Sequence, residues 1–133
     1  MKGVIAEEAA LRGSADAAFS RLVACLARHG DAKHAGCLAL HVPAAKAYFR
    51  VRWSPLAAQS ISVSWKAEAG GLLPTFDGTV LVRPAEHFDQ SVLKLFGEYS
   101  GVAGAHGKFL DKTIAADIAK ATARQLVTIM ARC

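Results

Sequence analysis

The C-terminal part of the chain carries its clearest pattern of apolar and polar positions. Val92 to Tyr99 alternates in the manner of a strand, and a segment with several glycines then leads into a long alanine-rich helix. Apolar residues recur on that helix at helical spacing, namely Leu110, Ile114, Ile118, Leu126 and Met130, with Ile129 beside them. Charged residues such as Asp117 and Arg124 fall on other sides. The pattern predicts a helix over 110–132 that buries one face against a sheet.

Alternation and turn residues predict the elements that precede this helix. A first strand spans Val4 to Leu11, and a short amphipathic helix runs from about Ala17 to His29 with Ser14 or Asp16 as its cap. Further strands are predicted at Cys37–Val42, Ala47–Trp53, Ile61–Ala67 and Gly78–Val82. Strands with hairpin-scale links favour an antiparallel sheet, and the terminal helix must cover its concave face. We therefore predict one α+β domain over residues 1–133.

One face of each of the last four predicted strands is apolar, and these faces are predicted to point toward the helix. The inward set contains a large share of the aromatic residues: Phe49, Trp53, Trp65, Phe76 and Tyr99, with Leu95 beside them. Together with Ile114 and Ile118 they are the predicted ligand contacts, because small-molecule sites are mostly apolar walls with a few polar groups. Tyr99 and His41 are the first candidates for a polar group inside, and the indole N–H groups of Trp53 and Trp65 come next. Ordinary core packing is the alternative interpretation.

The opposite strand faces predict a basic convex surface. Its outward positions are Lys46, Tyr48, Arg50, Arg52, Lys66, Arg83 and Lys94, interrupted by Glu68 and Glu98. A solvated surface explains this pattern, and the alternatives are an acidic protein partner, a homodimer, and a nucleic acid or anionic membrane.

Composition limits the function classes. The 133 residues are 53% hydrophobic, with a net charge of +5 and a pI near 9.4. This charge permits an anionic partner without requiring one, and we do not expect a nucleic acid. No apolar run is long enough to span a membrane or to form a signal peptide, so we expect a cytoplasmic protein. Cys25, Cys37 and Cys133 are odd in number and form no CxxC pair, which favours free thiols in a reducing compartment.

The sequence contains no clear catalytic or metal-binding constellation. Cys25, His29, His34 and Cys37 lie close together, but their spacing is not a common zinc pattern, so we predict no metal. There is no nucleophile elbow, phosphate loop or dinucleotide fingerprint, and we predict no cofactor. Acid–base chemistry by His41, Tyr99 and Asp111 is left open, and with it the question of whether the protein is an enzyme.

Two stretches resemble a known superfamily. Leu73 to Val82 looks like a hairpin entering a strand, and Leu93 to Tyr99, followed by Gly104, Gly107 and the helix Ala119–Ala131, is similar to the end of small START-like, or SRPBCC, proteins, the birch-pollen-allergen relatives. The resemblance implies a helix-grip fold: six to seven antiparallel strands around the terminal helix, a short helix after the first strand, and a hydrophobic cavity between sheet and terminal helix. Members of this superfamily include lipid and hormone carriers and cyclases of aromatic polyketides.

The resulting expectation is binding of a small hydrophobic ligand between sheet and terminal helix. A cyclase-like enzyme that uses no metal or cofactor is the first alternative. An interaction protein that uses the convex face is the second, because fold alone does not fix function.

Overall fold

Six strands and two long helices account for most of the residues that the structure describes. The computed structural model describes residues 2–29, 36–68, 71–87, 89–102 and 110–133. The strands are β1 (Lys2–Arg12), β2 (Cys37–Val42), β3 (Ala47–Ala57), β4 (Ser60–Ala67), β5 (Thr75–Pro84) and β6 (Gln90–Ser100). The helices are α1 (Ala15–His29) and α2 (Lys112–Ala131), and a single 3-10 turn, Pro43–Ala45, separates β2 from β3.

All six strands form one antiparallel sheet in the order β1-β6-β5-β4-β3-β2. From β2 to β6, strands that are consecutive in the chain are neighbours in the sheet, and β1 pairs along β6 from Lys2↔Ser100 to Arg12↔Gln90. The sheet curls into a half-barrel whose two edges are β1 and β2. The predicted α+β class, the antiparallel sheet and the short helix after the first strand are confirmed.

Strand β3 is longer than the sequence predicts, because Ser54 and Pro55 do not end it. The register between β3 and β4 shifts between Pro55 and Ala57, so an irregularity accommodates the proline. Strand β2 begins at Cys37 opposite Arg52, which leaves the far side of β3 without a strand partner beyond that point. Proline is tolerated there since its missing N–H removes no ladder hydrogen bond on the unpaired side.

The predicted inward faces of the strands form the core. Phe49 and Val51 on β3, Ile61 and Val63 on β4, and Leu95 on β6 are 0% exposed. Their sequence neighbours of opposite parity are exposed or half-buried, as a pleated strand requires. The alternation therefore predicted correctly which side of these strands faces α2.

Helix α2 lies across the concave side of the sheet and reaches both edges. Asp111 caps it by accepting hydrogen bonds from the N–H groups of Thr113 and Ile114, at 2.9 and 3.2 Å. Its buried face consists of Ala115, Ile118, Ala119, Thr122, Ala123, Leu126, Val127 and Met130. Most of its sheet contacts are with β1, and Gln125 Nε2 also donates a hydrogen bond to the His41 carbonyl of β2. No helix in the described ranges, α2 included, has the length and apolar character needed to cross a membrane.

A disulfide joins the C-terminal end of α2 to α1, so the prediction of three free thiols is wrong. Cys25 on α1 is bonded to Cys133, with the two Cα atoms 5.5 Å apart, while Cys37 remains a half-buried free thiol. Arg21 adds a second link in the same region, because its Nε donates to the Cys133 carbonyl at 3.0 Å. The expected cytoplasmic location therefore loses the argument that rested on free cysteines.

The disulfide predicts a large redox dependence of stability. It closes a loop with a sequence separation of 108 residues. We expect reduction or Cys133→Ser to lower the free energy of unfolding by about 2–5 kcal/mol, mainly because the unfolded chain regains freedom. Urea unfolding with and without dithiothreitol measures this loss. Cys37→Ser is the control and should leave the free energy of unfolding unchanged in both the oxidised and the reduced protein. Equal stability of oxidised and reduced protein would contradict the prediction.

Candidate functional site

Aromatic rings line the concave face where β4, β5 and β6 run side by side. Trp65 stacks on Phe76, with ring centroids 4.1 Å apart and an interplanar angle of 13°. Both residues are in register with Tyr99 on β6, which in turn faces Gly3 on β1. We call Trp65, Phe76 and Tyr99 the inner ring layer. It forms a flat apolar surface of the kind that recognises planar ligands.

Glycines beneath two of these rings let them lie flat on the sheet. A Cβ atom at Gly3 would lie 2.3 Å from Cζ of Tyr99, and one at Gly78 would lie 2.6 Å from Cζ of Phe76. At Gly97 it would lie 2.7 Å from the same Phe76 atom and 2.4 Å from the backbone oxygen of Asp77. Each of the three strands β1, β5 and β6 thus carries a glycine at the point where an aromatic ring covers its backbone.

The structure brings most of the predicted ligand contacts to this side of the sheet. Buried residues that face inward are Phe49, Trp65, Phe76, Leu95 and Tyr99 on the strands and Ile118 on α2. Trp53 also faces inward but remains partly exposed. Ile114 is 49% exposed, because it lies in the first turn of α2, where only Ala115 is buried. Whether these residues contact a ligand stays a prediction.

His41 points away from this surface, so its prediction as an inward polar group is wrong. Leu38, Leu40 and Val42 of β2 are buried, and His41 alternates with them on the exposed side. There its ring contacts the Tyr48 ring, at a centroid distance of 4.7 Å. The same alternation is visible in the sequence and would have placed His41 outside.

The three residues considered for proton transfer are therefore not assembled. His41 is on the outer side of the sheet, Tyr99 is in the inner ring layer, and the Asp111 carboxylate is occupied as the cap of α2. In the zinc-like group Cys25 is bonded to Cys133 in a disulfide, and His34 lies outside the described residues.

Two buried polar groups on the inward side have no hydrogen-bond partner in the described part of the chain. They are Nε1 of Trp53 and Oγ of Ser91. Trp53 is among the polar groups predicted from the sequence, whereas Ser91 is not. The signal for Ser91 is present in the sequence, since it and Tyr99 are the hydroxyl residues of the inward series Ser91-Leu93-Leu95-Gly97-Tyr99.

Among the grooves formed by described residues, two border the surfaces considered above. One, of about 410 Å³, runs between β1 and the C-terminal half of α2 and is lined by Ala9, Val127 and Thr128 among others. At its border Arg124 Nε contacts Glu7 Oε1 at 3.2 Å. The other, of about 350 Å³, lies over β3 to β6 on the convex side. The inner ring layer itself is closely packed, with its three side chains 3–9% exposed.

The convex side of the sheet, which we call the outer face, carries predicted basic residues on β3 to β6, with Arg83 on β5 and Lys94 on β6 among them. Arg50, Arg52 and Lys66 point outward there, as predicted from their parity. Arg50 Nη2 contacts Glu68 Oε1 at 3.2 Å. Asp77 on β5 and Glu98 on β6 line the opposite side of the same groove. This groove of the outer face therefore has basic residues on its β3–β4 side and acidic residues on its β5–β6 side, and the acidic contribution of Asp77 was missed.

Comparison with solved structures identifies the fold. The Zhui aromatase/cyclase of a Streptomyces species matches with a TM-score of 0.69 and 11% identity, over 99% of this chain and 93% of that one. A START superfamily protein from Mycobacterium smegmatis matches with a TM-score of 0.56 and 13% identity, over 97% of each chain. A point mutant of norcoclaurine synthase from Thalictrum flavum, in complex with a transition-state analogue, matches with a TM-score of 0.51 and 16% identity, over 95% of each chain.

These similarities confirm the predicted helix-grip fold. No protein-family model matches the chain, and comparison with curated proteins gives no match. At identities of 11–16% the structural similarity establishes the fold and leaves the ligand open.

The close approach of rings and backbone predicts that Gly97 tolerates no side chain. We expect Gly97→Ala to lower the free energy of unfolding by about 1–3 kcal/mol, because the added carbon collides with backbone atoms that cannot rotate away. Ala6→Val is the control, since it adds volume at an exposed position of β1. Urea denaturation of both variants provides the measurement. Unchanged stability of Gly97→Ala would show that the rings and strands separate easily at this point.

Proposed function

We propose that the protein binds a small, largely apolar molecule carrying a hydrogen-bond acceptor, between the concave face of the sheet and α2. The observation that carries the proposal is the Trp53 indole N–H, which is buried on this face without a partner among the described residues. The inner ring layer on the same face supports it, because its stacked rings match a planar apolar group. The helix-grip fold supports it as the architecture in which a helix closes over a curved sheet.

The unpartnered N–H sets the polar requirement for the ligand. A buried donor without an acceptor costs about 1–3 kcal/mol, so a ligand oxygen gains by accepting a hydrogen bond from this N–H, which has no partner among the described residues. A carbonyl or ether oxygen satisfies the requirement. A carboxylate is disfavoured, since charge entering this apolar interior would need a cationic partner there.

Entry of a ligand requires movement, because the inner ring layer is packed in this structure. The C-terminal half of α2 is tied down by Gln125 to β2, by Arg124 to Glu7 of β1, and by the disulfide at Cys133. Among the described residues no comparable tie from α2 to the sheet occurs in its N-terminal half. We infer that this half, which carries the exposed Ile114 and the buried Ile118, tilts away to admit the ligand.

The cyclase alternative has less support from the described residues. The Zhui protein is an aromatase/cyclase, but in this chain the groups considered for proton transfer lie on different sides of the sheet. Binding of a ligand needs only the apolar surface and one donor. We therefore propose binding without assigning a reaction.

The proposal predicts a ligand-dependent rise in melting temperature. We expect hits in a thermal-shift screen of flat hydrophobic molecules, because a ligand that binds only the folded state stabilises it by about 2.7 kcal/mol at a hundredfold excess over its dissociation constant. The same molecules should also be titrated while the fluorescence of the two tryptophans is followed. Absence of binding in both measurements would contradict the binding proposal.

Trp53→Phe tests the polar contact separately. It keeps an aromatic side chain and removes the N–H, so affinity for carbonyl-bearing hits should fall by about 3–10-fold, the range of one neutral hydrogen bond. Affinity for matched analogues with a methylene in place of the carbonyl should not change. Tyr48→Phe on the outer face is the control. Equal losses for both ligand types would show that Trp53 contributes only apolar contact.

A further inference from the structure

We propose that the outer face is a self-association surface, through which two copies of the chain form a two-fold symmetric dimer. In this arrangement β3 and β4 of one copy lie against β5 and β6 of the other. The argument rests on the order of charges across the sheet, independently of ligand binding on the concave side.

The charges follow one row of residues that runs straight across four neighbouring strands. Arg52 on β3 is in register with Ser64 on β4, Ser64 with Asp77 on β5, and Asp77 with Glu98 on β6. All four line the groove of about 350 Å³ on the outer face. The row thus reads basic, neutral, acidic, acidic, with the change of sign between β3 and β5.

The charges at the two ends of this row are unpaired within the described chain. Arg52 has no carboxylate within 4 Å among the described residues, and Glu98 has no cationic group within that distance. Arg50 in the next row differs, because Glu68 already pairs with it at 3.2 Å. Arg52 and Glu98 are therefore free to pair with a partner without breaking an existing ion pair.

A two-fold axis parallel to the strands, between β4 and β5, makes this row complementary to itself. Rotation about that axis places β3 opposite β6 of the second copy and β4 opposite β5. Arg52 then faces Glu98 of the other copy, and Ser64 faces Asp77. Because the interface is isologous, each of these contacts occurs twice.

The mixed charge argues for a second copy over a polyanion. A nucleic acid or an anionic membrane would approach Arg52 and Lys66 but would meet Asp77 and Glu98 directly beside them. The face also exposes apolar area that suits a protein partner, with Tyr48 57% and Phe96 37% exposed. Both lie within the four central strands.

The size and curvature of the face predict a weak, salt-sensitive dimer. Four strands at about 4.8 Å spacing and about 33 Å length offer on the order of 600 Å². This is below the roughly 800 Å² that each partner buries in an interface of standard size. Convex surfaces meet over less than their full area, so the charge contacts should dominate and should weaken as salt screens them.

Sedimentation velocity over a concentration series, at low and at high ionic strength, tests the proposal with charge reversals. The wild type should associate at low salt and dissociate at high salt. Arg52→Glu and Glu98→Arg should each weaken association by about tenfold or more, because each reversal makes two attractive contacts repulsive. Lys120→Glu, on the exposed side of α2, is the matched control and should associate like the wild type.

The decisive measurement mixes the two single variants. In a mixed dimer the two substituted side chains face each other with opposite charges, and the unchanged Arg52 of one copy faces the unchanged Glu98 of the other. Equal amounts of Arg52→Glu and Glu98→Arg protein should therefore associate although neither does alone. Restored association also shows that both variants are folded. A wild type that stays monomeric at low salt, association that survives either single reversal, or a mixture that fails to associate would each overturn the proposal.

Discussion

The packing of α2 across the concave side of the sheet is the contact on which the rest of the fold depends. A flat sheet could not touch one helix with both of its edges, so the strands must curl until β1 and β2 each reach α2. Small residues on the buried face, such as Ala115, Ala119 and Ala123, permit this close approach. The disulfide from Cys25 to Cys133 then fixes the far end of the helix to α1. The C-terminal end of α2 is therefore held by a covalent bond, whereas its N-terminal end is held by apolar packing.

The inner ring layer lies directly on the sheet. The rings of Phe76 and Tyr99 lie along the strands, over backbone that glycine leaves bare. This ring surface is part of the core and also the candidate site. In the free protein other side chains pack against it, and a flat ligand would replace those contacts. The N–H of Trp53, which has no partner among the described residues, is the feature that packing alone does not explain.

Local sequence patterns correctly predicted the strands, the helices and their buried faces. The predictions of the free thiols and of the end of β3 were wrong because these features depend on residues distant in the sequence. Alternation was sufficient for Phe49, Trp65 and Leu95, and helical spacing was sufficient for Ile118 and Leu126. The Cys25–Cys133 bond could not be read in this way, since it requires the end of α1 and the end of the chain to meet. Pro55 predicts the end of a strand that in fact continues, because its tolerance depends on where β2 begins. His41 is different, because its alternation with Leu40 and Val42 in β2 already indicates its outward direction.

The pleat of the sheet keeps the two proposed surfaces independent. In β3 the inward Val51 and Trp53 flank the outward Arg52, so adjacent residues serve opposite sides of the same strand. A charge reversal at Arg52 therefore changes the outer face without moving Trp53, and removal of the Trp53 N–H leaves the outer row of charges intact. A dimer formed through the outer face would also leave the concave side and the N-terminal half of α2 uncovered. Self-association and ligand binding are thus sterically compatible, and neither requires the other.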